Sequence, residues 1–243
     1  PLFLLMGQFA SQGGLSRDLF KAASALVGHV RGGLAMASLL SAGAFGAVCG
    51  SSVATSATIT QVAYPHMKSH GYSGRLATAT LATGGTLGIL IPPSVPLVVY
   101  AILTEQNIAK LFAAAMVPGI LAMLGYIVVV ALTVHFKPDL APATAKTTGR
   151  EKWAALGGVW PIALVFVVVF GGIYGGVFSP TEGAAVGAAM TLLAGLFKRE
   201  LNAEGLKNAL LSTADTTAMV FMIFLGADMM NATLALTEMP KII

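Results

Sequence analysis

The stretch Gly85-Thr86-Leu87-Gly88-Ile89-Leu90-Ile91-Pro92-Pro93-Ser94 decides the fold. It sits inside an apolar run over residues 76–104, long enough for a helix to cross a bilayer, and it interrupts that run with two consecutive prolines. Neither proline has an N–H, and the first also disfavours helical geometry in the residue before it, so one continuous helix is ruled out. A helix arriving at Pro92 leaves the carbonyls of Gly88 and Ile89 without their i+4 donors. In hydrocarbon each unpaired polar group costs several kcal/mol, so such a break survives only where backbone is buried in protein or lines a cavity. Gly84, Gly85 and Gly88 permit close backbone approach beside it, and Ser94 adds a hydroxyl.

The rest of the chain places this break in a membrane. Hydrophobic residues make up 56% of the sequence and charged residues only 10%, with a mean hydropathy of +0.82. A soluble domain needs far more charge to cover its surface. Apolar runs of about the length needed to span, roughly 20 residues, recur along the chain. They fall at residues 111–134, about 153–177, 183–197 and 209–236, with a polar loop between Lys137 and Lys152. Residues 1–10 read as the end of another span, followed by a more polar, interfacial helix from Ser16 to about His29. The net charge of +4 comes from Lys and Arg between the apolar runs and gives no reason to expect nucleic acid. The single cysteine, Cys49, excludes an internal disulfide and lacks the spaced partners of a zinc or redox motif. With no signal-peptide pattern and a start at Pro1 inside an apolar run, the chain reads as a fragment of a longer protein.

A second interruption lies at Gly50-Ser51-Ser52, between two arms of small residues and threonines that make residues 33–67 a helical hairpin. Arg17, Lys21 and Arg31 precede it and Lys68 and Arg75 follow it, so both feet are positive. The positive-inside rule then puts both feet in the cytoplasm, as a re-entrant hairpin requires and as a pair of full spans also allows.

Two breaks with hydroxyls point to a binding site, because discontinuous helices offer half-helix N-termini to anions and unpaired carbonyls to cations. At the first break Ser51 and Ser52 are placed to cap the following helix, leaving its amides for an anionic group. The carbonyls of Val48, Cys49 and Gly50 end the preceding arm and are free for a cation, with the hydroxyls of Ser51, Ser52 and Thr55 as neutral oxygens. Thr83, Gly84 and Thr86 taken singly read as packing surfaces. Ser179-Pro180-Thr181-Glu182 has the form of a capping box and a structural role. Asp215 and Asp228 lie in an apolar span; Asp215 can reach the interface, and Asp228 beside Asn231 is either functional or a polar packing contact. His29, His66, His70 and His135 lie near segment ends, where interfacial solvation accounts for them.

Several motifs together resemble one family. Gly46-Ala47-Val48-Cys49-Gly50-Ser51-Ser52-Val53-Ala54-Thr55, then Pro65-His66-Met67 with Gly71-Tyr72, then the Gly85–Ser94 stretch, and finally Gly171-Gly172-Ile173-Tyr174-Gly175-Gly176-Val177-Phe178-Ser179-Pro180-Thr181-Glu182 occur in order. They resemble the large membrane subunit of the TRAP (tripartite ATP-independent periplasmic) transporters. The resemblance implies an all-α polytopic protein of the bacterial inner membrane with an ion-transporter-superfamily-like elevator fold. It implies sodium-driven uptake of organic acids such as C4-dicarboxylates or sialic acids. Sodium ions serve for coupling, with no other cofactor. The implied partners are a small membrane subunit, a periplasmic substrate-binding protein, the organic anion and the lipid bilayer.

On this analogy residues 1–32 are the end of a span and an interfacial arm, and 33–104 are half of the transport domain, with the hairpin at 33–67 and the broken helix at 76–104. Residues 105–203 are scaffold-like, and 204–243 begin a second, truncated repeat. Sodium is assigned to Cys49, Gly50, Ser51, Ser52, Gly88, Ile89, Ile91 and Pro93, and substrate to Ser51, Ser52, Thr55, Pro92 and Ser94. Cys49 stands where the family pattern leads us to expect a small polar residue such as serine.

Three alternatives differ in what they require. A sodium- or proton-coupled transporter of another inverted-repeat family would work without a binding protein. An intramembrane enzyme would need a nucleophile with a base or a metal-spaced cluster, and the sequence shows no such motif. A purely structural subunit would leave the two breaks without a purpose.

Overall fold

The computed structural model describes residues 1–144 and 148–237; Lys146 of the expected polar loop and the Met239-Pro240 end lie outside them. Its described residues are helical apart from turns, in ten α-helices and one 3₁₀ turn at Pro138–Leu140. These are α1 (Leu2–Gln12), α2 (Leu15–Val27), α3 (Gly33–Cys49), α4 (Ser52–Ser69), α5 (Gly74–Leu90), α6 (Val95–Leu103), α7 (Ile108–Phe136), α8 (Gly149–Tyr174), α9 (Pro180–Phe197) and α10 (Ala203–Leu236).

The hairpin is α3 and α4. At 17 and 18 residues, its arms reach about 26 and 27 Å at ~1.5 Å per residue, short of the ~30 Å hydrocarbon thickness. α3 is the centre of the molecule: α1, α2, α4, α5 and α7 all pack on it. Its small residues let those helices close in, and most of its larger side chains, among them Leu39, Phe45 and Val48, are buried. α5 and α6 form the broken helix, bent by 41°. The Pro92-Pro93 peptide bond in the break is cis.

Four described helices are long and apolar enough to cross a membrane: α7, α8, α9 and α10. Their outward faces carry exposed Leu121, Val128, Trp160, Val167 and Phe221, as expected of a surface that meets lipid or further protein rather than water. The chain is thus an all-helical, polytopic membrane protein.

The start of α8 differs from the sequence expectation. α8 begins at Gly149, inside the expected polar loop, because Thr148 and Glu151 form a reciprocal capping box. The helix expected at the interface, α2, buries Leu15, Leu19, Phe20 and Ala22 against α3 and α8. Its charged Asp18 is tied to Lys198 at the end of α9, and Arg17 pairs with Glu200 at 3.4 Å. The expected capping box at Ser179 is present, with Glu182 accepting from the Ser179 N–H at 2.8 Å.

Candidate functional site

The two breaks meet. α3 ends at Cys49, and Gly50 reverses the chain with φ at +65°, a left-handed conformation that glycine adopts without strain. Ser51 is extended and caps α4, its Oγ accepting from the Ala54 N–H at 3.4 Å; Ser52 is the first residue of α4 rather than a second cap. Across from them Ser94 caps α6, accepting from the Leu97 N–H at 3.5 Å. The bond that joins the breaks is between backbones: the Val95 N–H donates to the Gly50 carbonyl at 3.2 Å. The N-termini of α4 and α6 are therefore brought together, each with its positive dipole end toward the junction.

Glycines make this approach possible. A Cβ on Gly46 would lie 2.7 Å from Gly88 Cα, and one on Gly50 would lie 2.7 Å from the Pro93 carbonyl oxygen. A Cβ on Gly88 would meet Thr55 Oγ1 and come within 2.8 Å of the Ser51 carbonyl oxygen. Gly85 faces Ser56 in the same way, at 2.5 Å from its Oγ. Gly84, in contrast, packs against Ala42 and Leu39.

The polar groups in this junction are unusual in what they lack. Thr55 is fully buried, and its Oγ1, beside the weakly donating Cys49 thiol, makes no hydrogen bond of ordinary geometry among the described residues. No donor among the described residues reaches the Gly88 or Ile89 carbonyl, because the residues that would supply one are Pro92 and Pro93. The junction thus collects neutral oxygens with unused lone pairs. No carboxylate stands among them, and no group of three or more His, Cys, Asp or Glu exists among the described residues to hold a transition metal.

The remaining expected site residues fall around this core. Cys49 is buried, with its backbone pressed against α1, since a Cβ on Gly7 would lie 2.8 Å from the Cys49 carbonyl oxygen. Ile91 turns its side chain into an apolar cluster with Ala47 and Leu87 and lies against Gly43 and Gly119. Pro92, Pro93 and Ser94 are buried, while Ser51 and Ser52 are half-buried at the edge of the junction. On the Ile91 side a cavity of ≈ 540 Å³ is lined by Ala47, Met116, Met123, Ile162 and Phe166, an apolar wall that offers nothing to an ion or a carboxylate. Asp215, Asp228 and Asn231 are exposed on α10. Sequence reasoning missed Gly46, Ser56 and the Val95 N–H.

The whole chain, residues 1–243, matches the family described as "Tripartite ATP-independent periplasmic transporter, DctM component". The chain belongs to this family. Among similar proteins, this DctM-family chain is 39% identical over 244 residues to the C4-dicarboxylate TRAP transporter large permease protein DctM of Pseudomonas aeruginosa, covering 99% of this chain and 56% of that one. It is 31% identical over 245 residues to the 2,3-diketo-L-gulonate TRAP transporter large permease protein YiaN of Escherichia coli, covering 100% and 57%. With the isethionate TRAP transporter permease protein DctMQ of Oleidesulfovibrio alaskensis it shares 35% over 247 residues, covering 100% and 38%. The chain spans about half the length, or less, of these relatives. Family membership and the long apolar helices make it a multi-pass protein of the bacterial inner membrane, and remove the alternative of a different inverted-repeat family.

Proposed function

We propose that this chain forms one half of a sodium-coupled elevator that takes up small organic anions delivered by a periplasmic binding protein, working beside a small membrane subunit. The observation that carries this reading is the buried, unpartnered Thr55 Oγ1 facing Gly88 where the two breaks join. A buried hydroxyl without a partner costs roughly 1–3 kcal/mol, which an ion held there would offset. Uncharged oxygens suit a monovalent cation, since a divalent ion buried without carboxylates would carry a far larger desolvation cost.

In this reading Thr55 belongs with the cation, as its hydroxyl beside the hairpin tip suggested, together with the carbonyls of Gly88 and Ile89, and not with the substrate, to which the family analogy assigned it. Ser51 and Ser52, at the half-buried edge, and the N-termini of α4 and α6 face the organic anion. Ser94 and Pro92 act by position, Ser94 through its cap on α6. Cys49, Gly50, Ile91 and Pro93 shape the cation side through backbone. The ion couples to the substrate because it stabilises the joined breaks, and joined breaks place both N-termini at the anion.

Residues 33–104 form the moving half-domain and 105–203 the scaffold, with the substrate completed by the portion of the relatives' length that this chain does not span. The relatives named for C4-dicarboxylate, 2,3-diketo-L-gulonate and isethionate suggest a small organic acid. The test is uptake into proteoliposomes containing the full-length protein and its small membrane partner, with loaded binding protein outside. Uptake that needs both an inward sodium gradient and the binding protein supports the proposal. Uptake indifferent to sodium overturns the coupling, and uptake without the binding protein overturns the tripartite assembly.

A further inference from the structure

A second cavity, of ≈ 390 Å³, opens where α5 begins and α7 ends, lined by Leu39 of α3, Arg75 and Thr80 of α5, Tyr126 and Val130 of α7, and Lys137. It lies away from the junction of the two breaks. The turns that follow α2, α4 and α7 gather at this end of the bundle: the Ser73 N–H donates to the Leu140 carbonyl at 2.9 Å, and Thr144 Oγ1 donates to the Gly28 carbonyl at 2.5 Å. Arg31, Lys68, Arg75 and Lys137 thus share one end, which the positive-inside rule assigns to the cytoplasm.

Three features of the cavity point to a ligand. Arg75 and Lys137 line it from different elements, and neither is paired with a carboxylate among the described residues; the ion pairs there are Arg17–Glu200 and Lys198–Asp18. Asp139, two residues after Lys137, is exposed and makes no ion pair among the described residues. Thr80 is only 4% exposed, yet its Oγ1 has no hydrogen-bond partner. The rest of the wall is largely apolar and continues onto the outward face of α7, where Val129 is 60% exposed.

A free anion would use the two cations and the hydroxyl but has no use for the apolar wall. A phosphodiester that carries acyl chains uses all of them. We propose that this cavity binds the headgroup phosphate of an anionic phospholipid from the cytoplasmic leaflet. Arg75 and Lys137 pair with the phosphate, Thr80 donates to a phosphate or glycerol-ester oxygen, and an acyl chain follows Val129 and Val130. The lipid then links the first half of the broken helix to the end of α7. This site needs only the membrane location of the chain and does not rest on the transport reading.

The test is native mass spectrometry and thermal unfolding of the full-length protein, purified with its small membrane partner in detergent. Phosphatidylglycerol, phosphatidylethanolamine with the same acyl chains, and inorganic phosphate are added separately. The expected result is a preference for phosphatidylglycerol over phosphatidylethanolamine of roughly 25-fold, from about fivefold for each cation. Arg75→Gln with Lys137→Gln removes the preference, while Lys68→Gln at the same end keeps it. If the double variant does not fold, each single variant is expected to lower the preference about fivefold. Thr80→Val weakens phosphatidylglycerol retention. Equal retention of the two lipids by the wild-type protein, or a preference surviving in the double variant, overturns the proposal. Protection by inorganic phosphate as strong as that by phosphatidylglycerol also overturns it, and gives the site to a free anion.

Discussion

Gly46 of α3 and Gly88 of α5 face each other so closely that a Cβ on Gly46 would lie 2.7 Å from Gly88 Cα. Both breaks are held by this contact, since Gly46 sits one turn before the hairpin tip and Gly88 one turn before Pro92. Gly88→Ala would push a methyl group into Thr55 Oγ1 and toward the Ser51 carbonyl oxygen at 2.8 Å, which as backbone cannot turn aside. We expect it to lower the stability of the full-length protein by roughly 1–3 kcal/mol through overpacking. Gly125→Ala has open space within 4 Å and is expected to be neutral or stabilising by up to about 1 kcal/mol, from helix propensity. Thermal unfolding of the two variants side by side checks this; equal melting temperatures would show that the contact is not tight.

Thr55→Val tests the buried hydroxyl without changing its shape. If sodium is the missing partner of Thr55 Oγ1, the wild-type protein should melt higher in sodium chloride than in choline chloride, and the variant should melt alike in both. In choline the variant should match or exceed the wild type, because a hydroxyl costing roughly 1–3 kcal/mol has been removed. Thr55→Ser should keep the sodium response. A Thr55→Val protein that still responds to sodium as the wild type does would place the ion elsewhere.

The Ser51 cap separates two adjacent serines that the sequence treated together. Ser51 Oγ accepts from the Ala54 N–H, whereas Ser52 is already helical. Ser51→Ala is expected to cost about 1 kcal/mol of stability, the usual worth of an N-cap, and Ser52→Ala only a few tenths. In sodium-dependent uptake the double variant Ser51→Ala, Ser52→Ala should need more sodium for half-maximal rate. Unchanged sodium activation would contradict a role for this tip in coupling.

The breaks themselves were legible in the sequence because their causes are local. Pro92 and Pro93 remove donors wherever they stand, and Gly50 followed by Ser51 is a helix stop and a helix start in two residues. The same is true of the Thr148–Glu151 capping box, which the reading of residues 137–152 as a polar loop passed over although its spacing was on view. What the sequence could not show is which breaks touch. The Val95 N–H donates across 45 residues to Gly50, and nothing about a valine signals this. Gly46 is one of 28 glycines, many of them tightly packed against other neighbours, so its pairing with Gly88 emerges only from the orientation of α3 against α5. Burial likewise needed the fold: the sequence places a threonine one turn past the tip without saying what covers it, and Thr55 is enclosed by α5.

Tyr72, in the turn between α4 and α5, is buried, and its hydroxyl accepts from the Leu34 N–H at 3.1 Å in the first turn of α3. Tyr72→Phe would leave that amide buried without a partner, at an expected cost of roughly 1–3 kcal/mol. Burial raises the phenol above its ordinary value, against a smaller opposing effect of the Leu34 N–H. An acid whose folded pKa is raised keeps its proton in the native state after the unfolded chain has lost it. The native state then binds more protons at alkaline pH, so stability falls as pH rises past about 10, the ordinary tyrosine value. The Tyr72→Phe protein should lose less stability between pH 9 and pH 11 than the wild type, by the share that Tyr72 contributes.

The Asp18–Lys198 pair joins α2 to the end of α9 with both side chains mostly covered, at 20% and 25% exposed. Lys198 also donates to the Gly158 carbonyl of α8 at 3.5 Å, so one ammonium ties the end of α9 to two other helices. Lys198→Met removes a charge-assisted bond and leaves Asp18 partly buried without its cation, for an expected loss of roughly 1.5–3 kcal/mol. The neighbouring Arg17–Glu200 pair is more exposed, at 55% and 36%, and Arg17→Gln should cost less than about 1 kcal/mol. A double-mutant cycle on Asp18→Asn and Lys198→Met, read by chemical or thermal unfolding, isolates the pairwise energy. A coupling no larger than that of Arg17 with Glu200 would mean that solvent or lipid headgroups screen this link, and that α2 is held by its buried apolar face alone.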